Sequence, residues 1–464
     1  DERILLKKLS SIEKPQLANL KTHLYKQVLA SLRLLKSNDS VDLQLHEQLD
    51  HARILYSKGL YHQSLKFLDK AKLLAHQYHQ DSFLIQIISL EKKIETLHIT
   101  RSMTDRAGQL TLEANQVNEK RKIITQLSNL ALQLYSWFVQ NGHARNEADE
   151  IGIKTFFKEA LPASAAKLTG FYERLYLYQS YCWYAFIRQD FIMYYKYAQR
   201  WFDLFETNKE MVEIETGHYI KSMHILLNAH FDLRNFGKFD KVLAHFEKFA
   251  LSELPNKHDI FRVNSFVYIN SAKLNNHLMQ GTFKEGLQHV PALTKQLKAL
   301  EMYLDQHRIL VFNYKIATLY FGAGDYATSI DYLRRIINDH IDLRGDLQCY
   351  ARLLHMMAHY ELGNIELIES SLIKSVYRFM AKMENLTVIE EEMFTFLRGS
   401  FKDPSRKVTQ ALQEFLAKVK KYEKSRFETR AFAYLDVISW LESKVEHKTM
   451  SEIIYAKYLK SPHR

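Results

Sequence analysis

The sequence offers few side chains whose spacing could support catalysis or metal binding. His355 and His359 stand four residues apart, so two imidazoles on one helix face could hold a metal ion. The residues between them, Met356, Met357 and Ala358, do not include the glutamate of the zinc-protease motif, and no third ligand is identifiable. We expect a structural role for both histidines, and we predict no metal and no cofactor.

Other catalytic patterns are also missing from the sequence. Gly322-Ala323-Gly324 could suggest a phosphate-binding loop, but it lacks a third glycine and a preceding strand. The sequence contains no Walker motif, no Ser-His-Asp arrangement and no paired cysteines. The chain is therefore predicted not to be an enzyme.

Recognition rather than catalysis is suggested by the segment 171–205. Its 35 positions hold fifteen aromatic residues, with Arg174, Arg188, Lys196 and Arg200 interleaved. Tyr, Trp and Arg concentrate at protein-binding hot spots, and aromatic side chains beside basic ones also stack nucleic-acid bases. The alternative is a thick helical hairpin whose rings fill the space between neighbouring units. The sequence leaves both interpretations open.

The C-terminal part of the chain is basic. The densest group of basic residues is Lys418, Lys420, Lys421, Lys424 and Arg426. Such a run usually forms a solvated helix face, and a polyanion-binding patch is the alternative. The formal net charge of +11 permits a nucleic-acid partner without requiring one.

Helices must position all of these residues. The 464 residues include only 14 Gly and 6 Pro, whereas a β-propeller, a β-sandwich or a doubly wound α/β enzyme needs many tight turns. A hydrophobic fraction of 47% argues against disorder. Helical periodicity dominates, and one clear face consists of Leu17, Leu20, Leu24, Val28, Leu29 and Leu32. The sequence predicts an all-α protein.

Internal repeats refine this prediction. Two segments carry similar residue types at the same offsets around a central glycine. The first copy is Ala52, Leu55, Gly59, Tyr61, Ser64, Leu68 and Ala71, and the second is Ala317, Tyr320, Gly324, Tyr326, Ser329, Leu333 and Ile336. A third copy centres on Gly281, a poorer one on Gly363 and a degenerate one on Gly237.

Each position of the repeat has a physical reason. The small residue seven positions before the glycine lets a second helix approach closely, and the glycine supplies the left-handed conformation that ends the first helix. The next residue is Thr282, Asp325 or Asn364 in three copies, and these residue types can cap the second helix. Each unit is therefore predicted to be a helical hairpin.

This pattern resembles the tetratricopeptide repeat (TPR), a helix-turn-helix unit that stacks into an α-solenoid. The glycines at 237, 281, 324 and 363 are 44, 43 and 39 residues apart. These spacings exceed the usual repeat of about 34 residues. The resemblance implies an all-α, TPR-like superhelix of roughly eleven hairpins with long, irregular repeats.

Composition and breaker residues suggest the domain boundaries. We expect N-terminal hairpins over 1–140, including a TPR-like unit at 46–78, and an irregular connection over 141–165. The central TPR-like array is expected over 166–398, and basic helices are expected to cap the array over 399–464.

Partner peptides commonly lie along the concave face of tetratricopeptide arrays, on the first helix of each hairpin. The resemblance therefore implies a lining made of Arg53, Tyr56, Tyr268, Asn275, Leu278, Val311, Tyr314, Thr318, Phe321, Tyr350 and Leu353. This aromatic and polar lining suits a peptide or an amphipathic helix. The carboxylate-clamp version of the family needs paired Lys/Arg and Asn residues, and only Asn275 fits, so we do not expect chaperone-tail binding.

The leading hypothesis is a non-enzymatic scaffold or adaptor that binds a protein or peptide segment along its concave face. A nucleic-acid-associated factor and a ligand- or peptide-gated regulator are the alternatives. The sequence contains no run of about 18 apolar residues, so no membrane span is predicted. The two isolated cysteines, Cys182 and Cys349, favour the reducing cytoplasm.

Overall fold

A computed structural model describes residues 14–36, 40–98, 106–339, 345–402, 408–423, 425, 427 and 435–462. Within these residues the chain consists of helices and turns, with no β-strand. Many helices pack against their neighbours along the chain, as in a helical repeat fold. The prediction of an all-α protein is confirmed. Two compact units divide the chain, Asp1–Ile123 and Ile124–Arg464.

The first unit has its own hydrophobic core. Its helices are α1 (Lys14–Lys36), α2 (Val41–Ser57), α3 (Tyr61–Gln77), α4 (Asp81–Leu97) and the first part of α5 (Arg106–Asn141). Buried residues of α2, α3 and α4 form most of the core, among them Leu45, Leu49, Leu65, Leu68 and Ile87. In α1 the predicted helix is confirmed, but only Leu17 of its apolar face is buried.

The second unit contains the remaining helices. They are α6 (Glu147–Ala160), α7 (Phe171–Ile187), α8 (Phe191–Thr207), α9 (Met211–Ile214), α10 (Thr216–Asp232), α11 (Phe236–Ala250), α12 (Glu253–Asn256), α13 (Asp259–Gln280), α14 (Phe283–Gln288), α15 (Val290–Ala299), α16 (Gln306–Ala323), α17 (Tyr326–Ile337), α18 (Gly345–Glu361), α19 (Ile365–Leu367), α20 (Ile373–Lys382), α21 (Val388–Lys402), α22 (Val408–Lys421), α23 (Val437–Val445) and α24 (Met450–Lys460). A π-helical turn, Ile368–Leu372, joins α19 to α20. None of the described helices is long and apolar enough to cross a membrane.

Left-handed residues form the turns of the predicted hairpins. Gly59, Gly281, Gly324 and Gly363 have φ values of 77°, 73°, 85° and 72°. A side chain at such φ values collides with the following carbonyl, so glycine suits this position. The predicted turns at these four glycines are confirmed.

The predicted degenerate copy at Gly237 is wrong. Gly237 lies inside α11, and the turn that precedes this helix has its left-handed residue at Arg234, with φ of 52°. Gln189, with φ of 55°, holds the same position between α7 and α8. The cost of a left-handed non-glycine residue is offset by hydrogen bonds that close the helix end, such as the 2.9 Å bond from the Asn235 N–H to the His230 carbonyl.

The spacing of small residues in the two clearest copies has a direct structural cause. The Ser64 hydroxyl donates to the Ala52 carbonyl at 2.7 Å, and the Ser329 hydroxyl donates to the Ala317 carbonyl at 2.8 Å. All four residues are fully buried. In each copy, one hydrogen bond therefore joins the second helix to the first where the small side chains allow close approach.

The capping prediction is confirmed in one of its three copies. The Asp325 carboxylate accepts a hydrogen bond from a backbone N–H of α17 at 3.1 Å. The Thr282 hydroxyl instead bonds the His277 imidazole at 2.9 Å, and the Asn364 amide bonds the His359 imidazole at 2.9 Å. The capping expectation for Thr282 and Asn364 is wrong, because each side chain bonds the histidine five positions earlier.

The segment 141–165 is more regular than predicted. It contains the 14-residue helix α6, whose first turn is capped by Asn146 accepting from the Asp149 N–H. Glu147, Asp149 and Glu150 also occupy that turn, where negative charge is favourable for the helix dipole. A purely irregular connection over these residues is therefore wrong.

The last helices contact hairpin turns formed much earlier in the chain. In α23 the Trp440 indole donates a hydrogen bond to the Glu361 carboxylate at the end of α18. In α24 the Ser451 hydroxyl donates a hydrogen bond to the Gly281 carbonyl, and the Tyr458 ring packs edge-on against the Phe236 ring of α11. The C-terminal helices therefore lie along the turns of several hairpins of the second unit.

Candidate functional site

The aromatic segment 171–205 contributes to the interior of the second unit. Each of its fifteen aromatic side chains is buried or partly buried. The rings pair with one another and with neighbouring helices, for example Tyr181 stacked on Tyr197 at 4.0 Å and Phe157 stacked on Tyr184 at 4.0 Å. Of the two interpretations that the sequence left open, packing between helices fits this burial.

In the first unit, the two predicted partner-binding residues lie on α2. Arg53 is exposed and makes a 3.2 Å hydrogen bond to Gln86 of α4, with Asp50 at 3.5 Å. Tyr56 is partly buried beside the Tyr61 ring, with the Lys93 ammonium 5.0 Å from its centroid. Both side chains therefore have protein partners of their own.

In the second unit, four of the predicted residues are core residues. Tyr314, Phe321, Tyr350 and Leu353 are all buried. The Tyr350 hydroxyl donates to the buried Glu390 carboxylate at 3.0 Å. These four side chains are therefore too buried to contact a partner in this conformation.

Four of the other predicted residues in the second unit lie closer to solvent. Tyr268, Leu278, Val311 and Thr318 are partly exposed, whereas Asn275 is buried, with 6% of its surface accessible. Tyr268, Leu278 and Val311 also pack against the large hydrophobic core of the second unit. The structure thus places part of the predicted lining on α13 and α16 at a partly exposed surface.

Three first helices of consecutive hairpins lie side by side at this surface. Helix α10 packs beside α13, and α13 packs beside α16. Side chains that recur every three or four residues share one face of a helix. The set that forms this surface is Lys221 and His224 of α10, Tyr268 and Ser271 of α13, and Arg308 and Lys315 of α16, and we call it the cationic surface.

Tyr268 occupies the centre of the cationic surface. The His224 imidazole stacks on its ring, with the centroids 3.9 Å apart and the planes at 11°. The Lys221 ammonium lies 5.2 Å from the ring centroid, and the Arg308 guanidinium lies 5.8 Å from it. Both cations are within the range of attraction to an aromatic ring.

Lys315 closes the other side of the cationic surface. Its ammonium donates hydrogen bonds to the hydroxyl and the carbonyl of Ser271, the second at 3.4 Å. Burial lowers the pKa of Lys315 to about 7, because the charged form loses hydration. The charge of this side chain is therefore sensitive to any anion that approaches it.

Like charges dominate the electrostatics of the cationic surface. Burial lowers the pKa of His224 well below its usual range, and the charges that lower it further are Lys221, Lys315 and Arg308. Arg308 has an ion pair with Asp305 at 3.1 Å. Among the described residues, no carboxylate lies within ion-pair distance of Lys221 or Lys315. The surface therefore combines an aromatic centre with two lysines that have no carboxylate partner in the described part of the chain.

Sequence reasoning missed Lys221, His224, Arg308 and Lys315. Alignment on glycine predicts a hairpin turn at Gly237, whereas the left-handed residue is Arg234, so the alignment assigns no partner-binding residue to α10. The signal that could have found it is a polar residue followed by an aromatic one: Asn235-Phe236 and Asp190-Phe191 match Thr282-Phe283 and Asp325-Tyr326. In both of the missed copies a non-glycine residue takes the left-handed position.

The predicted polyanion patch contains paired lysines. Lys418 lies 2.7 Å from Glu392, and Lys420 lies 2.7 Å from Glu442. Glu442 also accepts from Lys457 at 2.7 Å, and these bonds outweigh burial, so the pKa of Glu442 is lowered. Lys421 is exposed, and Lys424 and Arg426 lie outside the described residues.

His355 and His359 contact each other on α18. Their rings meet edge to face with centroids 4.6 Å apart, and His359 bonds Asn364 of the following turn. In the described part of the chain, no group of three His, Cys, Asp or Glu residues is arranged to hold a metal ion. The pair lies at the packed end of a hairpin, apart from the cationic surface.

Comparisons with known proteins add no family to this description: no protein-family model, no curated protein and no solved structure matches the chain.

Proposed function

We propose that this protein is a non-enzymatic helical-repeat scaffold that binds a segment of another protein along the first helices of its second unit. The observation that carries the proposal is the cationic surface, where three adjacent helices present partly exposed side chains around Tyr268. Aromatic and basic side chains together supply both contact area and charge for a partner.

The architecture that we propose is a TPR-like α-solenoid of roughly eleven hairpins, with the cationic surface on its concave face. Support comes from the turns at Gly59 and Gly324 and from the matching hydrogen bonds of Ser64 and Ser329. We also propose a cytoplasmic location, supported by the buried free thiols of Cys182 and Cys349.

Peptide selection followed by photocrosslinking tests the proposed function. The full chain is used to select binders from a random peptide display library. A photoreactive amino acid is placed at Val311 or Thr318, beside the cationic surface, and in a control at Met302, which is 97% exposed. We expect the selected peptides to crosslink from Val311 and Thr318 and not from Met302. Selected peptides that crosslink from neither Val311 nor Thr318 would rule out this binding surface.

A further inference from the structure

The cationic surface gathers three like charges, and two of them, Lys221 and Lys315, have no carboxylate partner among the described residues. Lys221, Arg308 and Lys315 all act on His224, and only Arg308 has an ion pair among the described residues. Bringing cations together in a partly desolvated site is unfavourable. A methionine side chain has a similar length and no charge, so Lys315→Met removes the ammonium with little change in volume.

The chemistry of Lys315 indicates what its partner must supply. An ammonium has three donors, and the described bonds of Lys315 go to a single residue, Ser271. Neither of these acceptors is charged, so the burial that lowers the pKa of Lys315 is not compensated by an anion. A carboxylate beside the ammonium would restore its charged form and add a charge-assisted hydrogen bond.

The geometry around Tyr268 favours a peptide over a nucleic acid. Binding of single-stranded nucleic acid relies on aromatic faces on which bases stack. The Tyr268 ring is already stacked by His224 at 3.9 Å, and Lys221 and Arg308 also lie near it. The neighbouring partly exposed residues Val311 and Thr318 add apolar and hydroxyl contacts of the kind that a peptide uses.

We infer that the cationic surface binds an acidic segment of a partner protein, with one side-chain carboxylate on Lys315 and further acidic groups near Lys221 and Arg308. This inference rests on the proposed function and specifies the chemistry of the partner. Charge complementarity selects the segment, and Tyr268 contributes contact area at its centre.

The test measures both the composition of the selected peptides and their dependence on Lys315. Peptides from the display selection are synthesised with their Asp and Glu residues intact, and again with Asn and Gln in their place. Both forms are titrated against the full chain, against Lys315→Met and against Lys295→Met. Lys295 is an exposed residue of α15, so its replacement removes the same charge away from the surface.

We expect selected peptides to be rich in Asp and Glu. The amide forms should bind at least tenfold more weakly, and Lys315→Met should weaken binding of the acidic form at least tenfold while Lys295→Met leaves it unchanged. The thermal unfolding midpoint of Lys315→Met should equal or exceed that of the parent chain, which separates lost binding from lost folding.

The other outcomes would each overturn the inference in a distinguishable way. Peptides that crosslink from Val311 but are not acidic, or that bind Lys315→Met normally, would leave the proposed function standing and remove the acidic partner. Binding of a single-stranded oligonucleotide that is lost in Lys315→Met would assign the surface to nucleic acid instead. Absence of any peptide that contacts the surface would remove the proposed function and this inference together.

Discussion

The two basic regions of the second unit differ in how their charges are compensated. In the C-terminal region, Lys420 and Lys457 share the Glu442 carboxylate, with each ammonium 2.7 Å from it. On the cationic surface, Lys221 and Lys315 have no carboxylate within ion-pair distance among the described residues. The number of lysines along a sequence therefore does not measure the charge that a surface can offer to a partner.

The largest effect that tests this comparison is expected for Glu442→Ala. Glu442 is mostly buried, and its removal leaves Lys420 and Lys457 without their shared partner. Both lysines are about half exposed, so each lost pair should cost up to about 1 kcal/mol, and loss of the two pairs together should lower the free energy of unfolding by about 2 kcal/mol in urea titration. Glu446→Ala, at an exposed residue near the end of α23, is the control and should leave stability unchanged. Equal stability of both variants would show that the C-terminal lysines are not held by their acidic partner.

A smaller effect of opposite sign is expected for Lys315→Met. The substitution removes a desolvated charge and costs the hydrogen bonds to Ser271, so unfolding at pH 6 should become about 1 kcal/mol less favourable. Urea titration of the parent chain and the variant measures the difference. If the free energy of unfolding of Lys315→Met were instead more than about 1 kcal/mol lower than that of the parent chain, Lys315 would stabilise the fold. The contrast between the two basic regions would then be wrong.

The pH dependence of stability should also reveal the desolvation of Lys315. The pKa of Lys315 is about 7 in the folded chain, below the ordinary value of 10.5. Between these values the unfolded chain holds the proton and the folded chain does not, so this residue makes stability rise with pH. Below pH 7 both states are protonated and its full penalty is present. The stability advantage of Lys315→Met should therefore shrink between pH 7 and pH 10.

The difference between parent and variant is the quantity to measure in this pH series. Burial raises the pKa of Asp232 from 3.8 to about 7. Between these two values the folded chain holds the proton and the unfolded chain does not, so this residue makes stability fall as pH rises towards 7. Asp232 is present in both proteins, so its contribution cancels in the difference. Parallel stability profiles of the two proteins would exclude a lowered pKa for Lys315.

The smallest effect is expected for Lys418→Met. Lys418 lies 2.7 Å from Glu392, but half of its side chain is exposed, so solvent screens the pair. We expect the free energy of unfolding to change by less than about 0.5 kcal/mol, as is typical of surface pairs. Thermal unfolding followed by circular dichroism measures the change. A larger change would show that exposed C-terminal lysines also stabilise the fold.

The parts of the fold that could be predicted are those with local causes. Gly59 and Gly324 were identified as hairpin turns because the left-handed conformation needs a residue without a side chain. The turns at Gln189 and Arg234 could not be identified in the same way. Hydrogen bonds at the helix end stabilise the left-handed conformation there, and glutamine and arginine are not typical of this conformation, so the sequence does not indicate it.

The candidate site could be predicted only in part. The resemblance to tetratricopeptide arrays selected Tyr268, Val311 and Thr318, which are partly exposed, but it also selected Tyr314 and Phe321, which neighbouring helices bury. The burial of a helix face depends on how many helices surround it, and spacing within one helix carries no information about its neighbours.

The sequence by itself determined the helical class and the hairpin turns at four glycines, because helix periodicity and glycine conformation act over a few residues. Tertiary structure alone decided which lysines meet a carboxylate. Glu442 reaches Lys420 and Lys457 only because α22, α23 and α24 come together, and Lys315 of α16 comes close to His224 of α10 only through the packing of separate hairpins. Electrostatic interactions depend on distance in space, and the chain brings distant residues together only when it folds.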